Sequence, residues 1–168
     1  SKVQLRASTS SGRAIVRLDT TSDKHSNTRK IEKNLQTGEV TIYNSLAHAS
    51  GNGSGTKVFT RQVAAAQKIG ATRIVTSAAR SSSYNGYITW AKLGYDGKIP
   101  WSAIVRSVKA EEVAELEKFN HLTKVSELMA TREGAKFFEK HGGSWSGEFD
   151  LREGSYSMNT LREYLATR

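Results

Sequence analysis

Between residues 49 and 56 the hydrophobic period of the chain changes, and that change constrains the fold more than any other feature. Before it, Val40-Thr41-Ile42-Tyr43-Asn44-Ser45-Leu46 is rich in β-branched and aromatic residues and has the composition of a strand. After it, Thr56 to Ile69 sets Val58, Phe59, Val63, Ala66 and Ile69 along one stripe of a helix, with Lys57, Arg61, Gln62 and Lys68 mostly outside. Gly70 stands where a helix ends on a residue with positive φ. The junction is Ala49-Ser50-Gly51-Asn52-Gly53-Ser54-Gly55-Thr56. Three glycines at alternate positions let the backbone turn tightly and bring its N–H groups against a ligand. The helix that follows adds unpaired N–H donors and the positive end of its dipole, which favour an anion. A phosphate-binding turn is one interpretation and a flexible Gly/Ser loop is the other. The lysine-bearing P-loop is excluded, because the order here is Gly55-Thr56-Lys57. The dinucleotide fingerprint is excluded too, because the strands that precede this turn form a meander rather than a parallel crossover.

That meander is visible in Gln4 to Ser8 and in Arg13 to Thr20, where Ala14, Val16 and Leu18 alternate with Arg13, Arg17 and Asp19. Asn27 to Asn34 has Ile31 as its one large apolar residue, which predicts an edge strand or a ribbon facing solvent. Gln36-Thr37-Gly38-Glu39 supplies turn chemistry. Beyond Gly70, Thr72 to Ser77 predicts a short buried strand, and Tyr84 to Leu93 a second helix ending at Gly94. After Pro100 the pattern is helical over Trp101–Val108, Ala110–Phe119, Val125–Met129 and Arg132–Lys140, closed by Gly142-Gly143. Trp145 to Leu151 is one more strand and Ser155 to Ala166 a closing helix, with Ser157 or Asn159 as candidate N-caps. The expected class is mixed α/β (α+β): a mainly antiparallel sheet flanked by helices, with a helical insertion before the last strand. Residues 1–168 are expected to form a single domain. Its parts are antiparallel strands at 1–48, a core at 49–95, the insertion at 96–144, and the last strand and helix at 145–168.

Composition narrows function by exclusion. With no cysteine there is no disulfide, thiolate metal site or cysteine nucleophile. No apolar run approaches the ~20 residues that span a bilayer, so no membrane partner is expected. His121 and His141 are too far apart to pair on one helix, so no metal site is expected. The absence of an initiator methionine suggests a processed chain or part of a larger protein. The net charge is +9. The first 34 residues hold 8 basic and 3 acidic side chains, whereas residues 107–168 hold 9 and 11, so the excess lies early in the chain. A basic surface of that kind suits nucleic acid, an acidic partner or the phosphates of a cofactor.

The order strand, glycine turn, amphipathic helix, Gly70, strand, second helix, then Leu93-Gly94-Tyr95, resembles the core of the GNAT superfamily of N-acyltransferases. In that superfamily a turn of the form Arg/Gln-x-x-Gly-x-Gly/Ala holds the CoA pyrophosphate, and Gly53 and Gly55 occupy its two small positions. The resemblance implies acetyl-CoA as cofactor, with its pyrophosphate on Ser50, Gly51, Asn52, Gly53, Ser54, Gly55 and Thr56. The thioester would lie near the backbone of Leu46 to His48, and Asn85 is counted with the cofactor-binding residues. Ser50 stands where the superfamily has Arg or Gln. Trp90, four residues before Gly94, stands where it has the tyrosine that protonates the leaving thiolate. An indole N–H donates hydrogen bonds but is far too weak an acid for that task. Tyr87, three residues earlier on nearly the same helix face, is the candidate acid, and His48 the candidate base for an amine nucleophile. Asn85 to Gly97 and the tail Phe149-Asp150-Leu151, Gly154-Ser155 and Leu161 to Leu165 are similar to GNAT-like domains carried in bacteriophage proteins. The implied activity is transfer of an acyl group from acetyl-CoA to an amine acceptor, or a degenerate form of it. The alternative is a non-catalytic GNAT-fold binding or structural module of a larger protein such as a virion component, contacting nucleic acid. The expected location is the cytoplasm, or the virion if the protein is phage-encoded.

Overall fold

Alternation and turn chemistry build the first half of the chain. The computed structural model describes residues 2–22, 25–45, 54–82 and 84–167. These fall into two compact units, residues 1–76 with 150–153, and residues 77–149 with 154–168.

In the first unit β1 (Lys2–Ser10) and β2 (Arg13–Ser22) form a hairpin over the turn Ser11-Gly12. Both turn residues have positive φ, 49° and 73°, which is the type I′ geometry that matches the twist of paired strands. β3 (His25–Asn34) and β4 (Val40–Ser45) continue the antiparallel order. The chain then passes through α1 (Ser54–Lys68) into β5 (Ala71–Ala78), which runs parallel to β4. Cross-strand partners lie on one face of a sheet. The register Leu5–Leu18, Val16–Ile31, Ile31–Ile42 and Ile42–Ile74 therefore draws one apolar face across the strands. The expected class is observed: a mixed α/β fold in which the described strand pairs are antiparallel except for β4 with β5.

Two expectations are corrected here. β3 is not an edge strand, since it pairs with β2 on one side and β4 on the other. Its polar residues are accommodated by charge pairing: Glu32 is buried between Arg13 (3.3 Å) and Lys30 (2.7 Å). The buried stripe of α1 is Phe59, Gln62, Val63 and Ala66, while Val58 and Ile69 are exposed. A stripe centred on 59, 63 and 66 carries position 62 inward and turns 58 and 69 to solvent.

The second unit opens with a small antiparallel pair, β6 (Arg80–Ser81) and β7 (Tyr84–Asn85). The helix expected from Tyr84 starts instead at Gly86, giving α2 (Gly86–Lys92). There follow α3 (Trp101–Ser107), a 3-10 turn at Ala110–Glu112, α4 (Val113–Glu117), α5 (Val125–Met129) and α6 (Arg132–His141). β8 (Trp145–Asp150) and α7 (Tyr156–Ala166) complete it. Ser155 caps α7 by accepting from the Met158 N–H at 3.2 Å, so the cap is neither Ser157 nor Asn159; Ser157 is buried. An aromatic core runs through this unit, with Tyr95 against Phe149 (5.4 Å between ring centres) and Phe138 against Trp145 (6.4 Å). Trp145 and Phe149 are core residues as expected. Trp101 is half-buried and donates its indole N–H to the Leu122 carbonyl at 2.9 Å. Among the described residues no helix is long and apolar enough to cross a membrane.

Within this unit Lys140 Nζ lies 2.7 Å from Glu112 Oε1, and the Lys109 N–H donates to Oε2 at 3.0 Å. The lysine first and the N–H second hold the Glu112 carboxyl down at about 2, against an ordinary 4.5. A carboxyl lowered by folding stabilises the fold above its unfolded value. That contribution is lost as the pH falls through the interval from 4.5 to about 2. Both groups meet solvent, so salt weakens the pair. The Tm difference between the wild type and Glu112→Gln should be largest near neutral pH and shrink towards zero below pH ~3. Thermal melts across that range check it.

Candidate site at the end of β4

The described course of β4 ends at Ser45 and that of α1 begins at Ser54. Leu46, His48, Ser50, Gly51, Asn52 and Gly53 lie outside the described residues. Ser54, Gly55 and Thr56 are the first three residues of α1. The Thr56 carbonyl accepts the Thr60 hydroxyl at 2.9 Å. The first turn of α1 carries no acidic residue, so no carboxylate of that turn offsets the positive end of the helix.

Beside this helix start lies a buried polar cluster that the glycine pattern did not announce. Asn44, the second-last residue of β4, is 4% exposed. Its Oδ1 accepts two hydrogen bonds, from Arg29 Nε on β3 (3.0 Å) and from Gln62 Nε2 on α1 (3.0 Å). Two donors aimed at one atom fix which end of the amide is oxygen. The other end, Nδ2, has no acceptor among the described residues. Thr76 on β5, paired with Asn44 in the register, donates its hydroxyl to the Asn44 carbonyl at 3.4 Å. Gln62 and Thr76 are buried as well.

The chemistry of the cluster follows from its groups. It has amide and guanidinium donors but no group that titrates near neutrality, so it can hold an oxygen acceptor and cannot relay a proton. A signal for it was present in the sequence. Period two puts Asn44 on the same face as Val40 and Ile42, and a polar residue on an apolar face must find partners. Gln62 is adjacent in sequence to the core residue Val63 and was assigned to the outer surface by residue type alone.

Asn85 and Tyr87 belong to the second unit, whereas residues 46–56 belong to the first. Asn85 is the exposed N-cap residue of α2; its carbonyl accepts the Thr89 hydroxyl at 3.1 Å. Tyr87 is 6% exposed, and its hydroxyl donates to the Glu139 carbonyl at 2.5 Å. That carbonyl belongs to the last turn of α6, where four carbonyls lack helical partners. Arg80 donates to the Lys140 carbonyl at 3.0 Å and also to the Gly142 carbonyl. Ser107 donates to that of His141 at 3.0 Å. Tyr87 is thus one of three side chains that close the end of α6. The Arg80 guanidinium also lies over its ring, 4.7 Å from the centre. Trp90 is half-buried and packs edge-on against Tyr95 at 5.1 Å. Among the described residues no group of three or more His, Asp or Glu is placed to hold a metal ion.

No family model, no curated protein and no solved structure matches this chain. Function is therefore argued from the residues themselves.

Asn44→Ala strands the buried Gln62 donor and the Arg29 Nε–H, which should cost about 1–3 kcal/mol in urea unfolding. Asn44→Asp keeps an acceptor for both donors and forms a charge-assisted bond to Arg29, so it should recover at least half of that loss at neutral pH. Equal losses in both variants would show that the two bonds do not organise the site.

Proposed function

We propose that this chain is a GNAT-type acyl-CoA-binding domain, a degenerate relative of the acetyl-CoA-dependent N-acyltransferases, with the cofactor's pyrophosphate on the turn at 51–56. The observation that carries this reading is the parallel pairing of β4 with β5, joined by α1. That connection brings the glycine-rich segment to the exit of β4 and the N-terminus of α1 to the same end of the sheet. The absence of an acidic residue from the first turn of α1 supports an anion there, and Asn44 adds a buried donor beside it. In the active form, an amine attacks the thioester carbonyl, a C–N bond forms and the C–S bond breaks. His48 or water takes the amine proton, and Tyr87 or water protonates the departing thiolate.

One observation favours a second reading, in which the fold keeps no catalysis and serves as a binding or structural module of a larger assembly such as a phage virion. The Tyr87 hydroxyl is already donated to the end of α6, and Trp90 offers no acid in its place. The basic side chains of the sheet would then meet an acidic partner or nucleic acid, with the steep salt dependence of phosphate contacts.

Isothermal calorimetry with acetyl-CoA and with CoA tests the first reading. Micromolar binding to the wild type, lost in Gly53→Leu and Gly55→Leu, is the expected result. No heat at millimolar cofactor, together with no thermal stabilisation, would turn the assignment to the second reading. Tyr87→Phe separates the roles of the tyrosine. Removing a capping donor should lower stability by about 1–2 kcal/mol while leaving CoA affinity unchanged. An acyl-transfer rate that falls at least tenfold in this variant, with stability unaltered, would instead make Tyr87 the acid.

A further inference from the structure

β1 is the outer strand of the hairpin ribbon, paired with β2 over nine residues without a bulge. Every residue of it is exposed. Natural edge strands are usually blunted by a proline, a bulge, short length or dense charge. β1 has no proline, and its charged residues are Lys2 and Arg6. Val3 (66%) and Leu5 (68%) stand open on the face that continues through Leu18 and Val16 to Ile31.

The hairpin turn determines which backbone groups of β1 are already bonded. A two-residue type I′ turn closes on a hydrogen-bonded pair, here Ser10 with Arg13. Bonded and non-bonded pairs alternate from there. Ser8, Arg6, Gln4 and Lys2 therefore bond β2, while Val3, Leu5, Ala7 and Thr9 turn their N–H and C=O groups to the open side.

We propose that this edge pairs antiparallel with β1 of a second copy of the chain, across a twofold axis at Leu5. Charge and side-chain alternation select that register. A shift of one residue in the pairing sets the apolar side chains against the polar ones. An axis at Arg6 puts two guanidinium groups directly opposite each other, and an axis at Gln4 puts Lys2 against Arg6. An axis at Leu5 pairs Leu5 with Leu5, Val3 with Ala7, Gln4 with Arg6 and Lys2 with Ser8, with no like charges facing. Gln4 Oε1 already accepts from Arg6 Nη2 within one strand at 3.2 Å, so the two side chains suit each other across the axis as well. The outward groups of Val3, Leu5 and Ala7 then form about six backbone hydrogen bonds between the copies. The apolar faces of the two ribbons join into one. Each copy carries +9, so association strengthens as salt screens the repulsion.

Sedimentation velocity of the 168-residue chain at micromolar to millimolar concentration should show a dimer. Leu5→Pro removes an N–H that β2 does not use, at a position where an edge strand tolerates proline. It should abolish the dimer without changing the Tm. The chain has no cysteine, so a single introduced thiol reports the register. Leu5→Cys places two Cα atoms about 5.5 Å apart across the axis, within disulfide reach. Thr9→Cys places its pair roughly 26 Å apart. Oxidation should cross-link Leu5→Cys at least tenfold faster than Thr9→Cys. A monomer at every concentration and salt, a dimer unaffected by Leu5→Pro, or equal cross-linking at the two positions would each overturn the proposal. So would association seen only with an acidic extended peptide, since the edge would then receive a different partner.

Discussion

Two strands that are neighbours in a sheet, consecutive in the chain and parallel cannot be joined by a tight turn; the chain must return along the full length of the strand. β4 and β5 are such a pair, and α1 is the return path. Its 15 residues cover roughly 22 Å at a helical rise, close to the length of the eight-residue β5. The exit of β4 and the N-terminus of α1 must then lie at one end of the sheet, with the segment 46–53 between them. This topology makes the helix dipole and the last residues of β4 converge. A hairpin connection between the same two strands would have placed neither there.

The rotation of α1 about its own axis is a separate question, and a polar contact answers it. Apolar burial of Phe59, Val63 and Ala66 is non-directional and tolerates some rolling of the helix on the sheet. The bond from Gln62 to Asn44 Oδ1 does not, because it is made only when position 62 faces the end of β4. Arg29 completes the junction from β3, so three elements meet on one amide oxygen. A leucine in place of Asn44 would pack and would remove the need for partners, but it would also remove the feature that fixes the orientation. The cost of keeping an amide there includes an Nδ2 group with no acceptor among the described residues. Such a group is tolerated where a further acceptor arrives.

Much of the fold was legible because alternation and helical period report burial directly. β2, β4 and β5 followed from their β-branched runs, and α1 from its apolar spacing and Gly70. The errors share one cause: residue type was taken as a measure of exposure. β3 looked like an edge strand because it is polar, yet Glu32 lies buried between Arg13 and Lys30. Gln62 looked external and is buried, whereas Val58 and Ile69 looked internal and are exposed. For the site, the glycines announced a turn through their own chemistry, and that much needs no partner to be seen. The cluster on Asn44 depends on residues from β3, α1 and β5, and no window of sequence contains them together. The start of α2 was misplaced because Tyr84 and Asn85 pair with Arg80 and Ser81, a contact that competes with the first helical turn.

Tyr87 shows how far a residue's type can stand from its task. Three residues before Trp90 on a helix beside a glycine-turned core, its phenol has the acidity expected of a thiolate's proton donor. Its hydroxyl instead meets a carbonyl 52 residues further along the chain. The α6 helix ends on Gly142-Gly143 with its final carbonyls turned towards neighbouring elements rather than into solvent. Buried carbonyls need donors, and Tyr87, Arg80 and Ser107 supply them. Moving the Tyr87 proton to a substrate would leave Glu139's carbonyl without its side-chain donor, and the phenol would have to swing out of a core it shares with Phe138. The insertion between α2 and β8 therefore bears on the chemistry directly: by ending a helix against Tyr87, it turns a group suited to catalysis into one that holds the unit together.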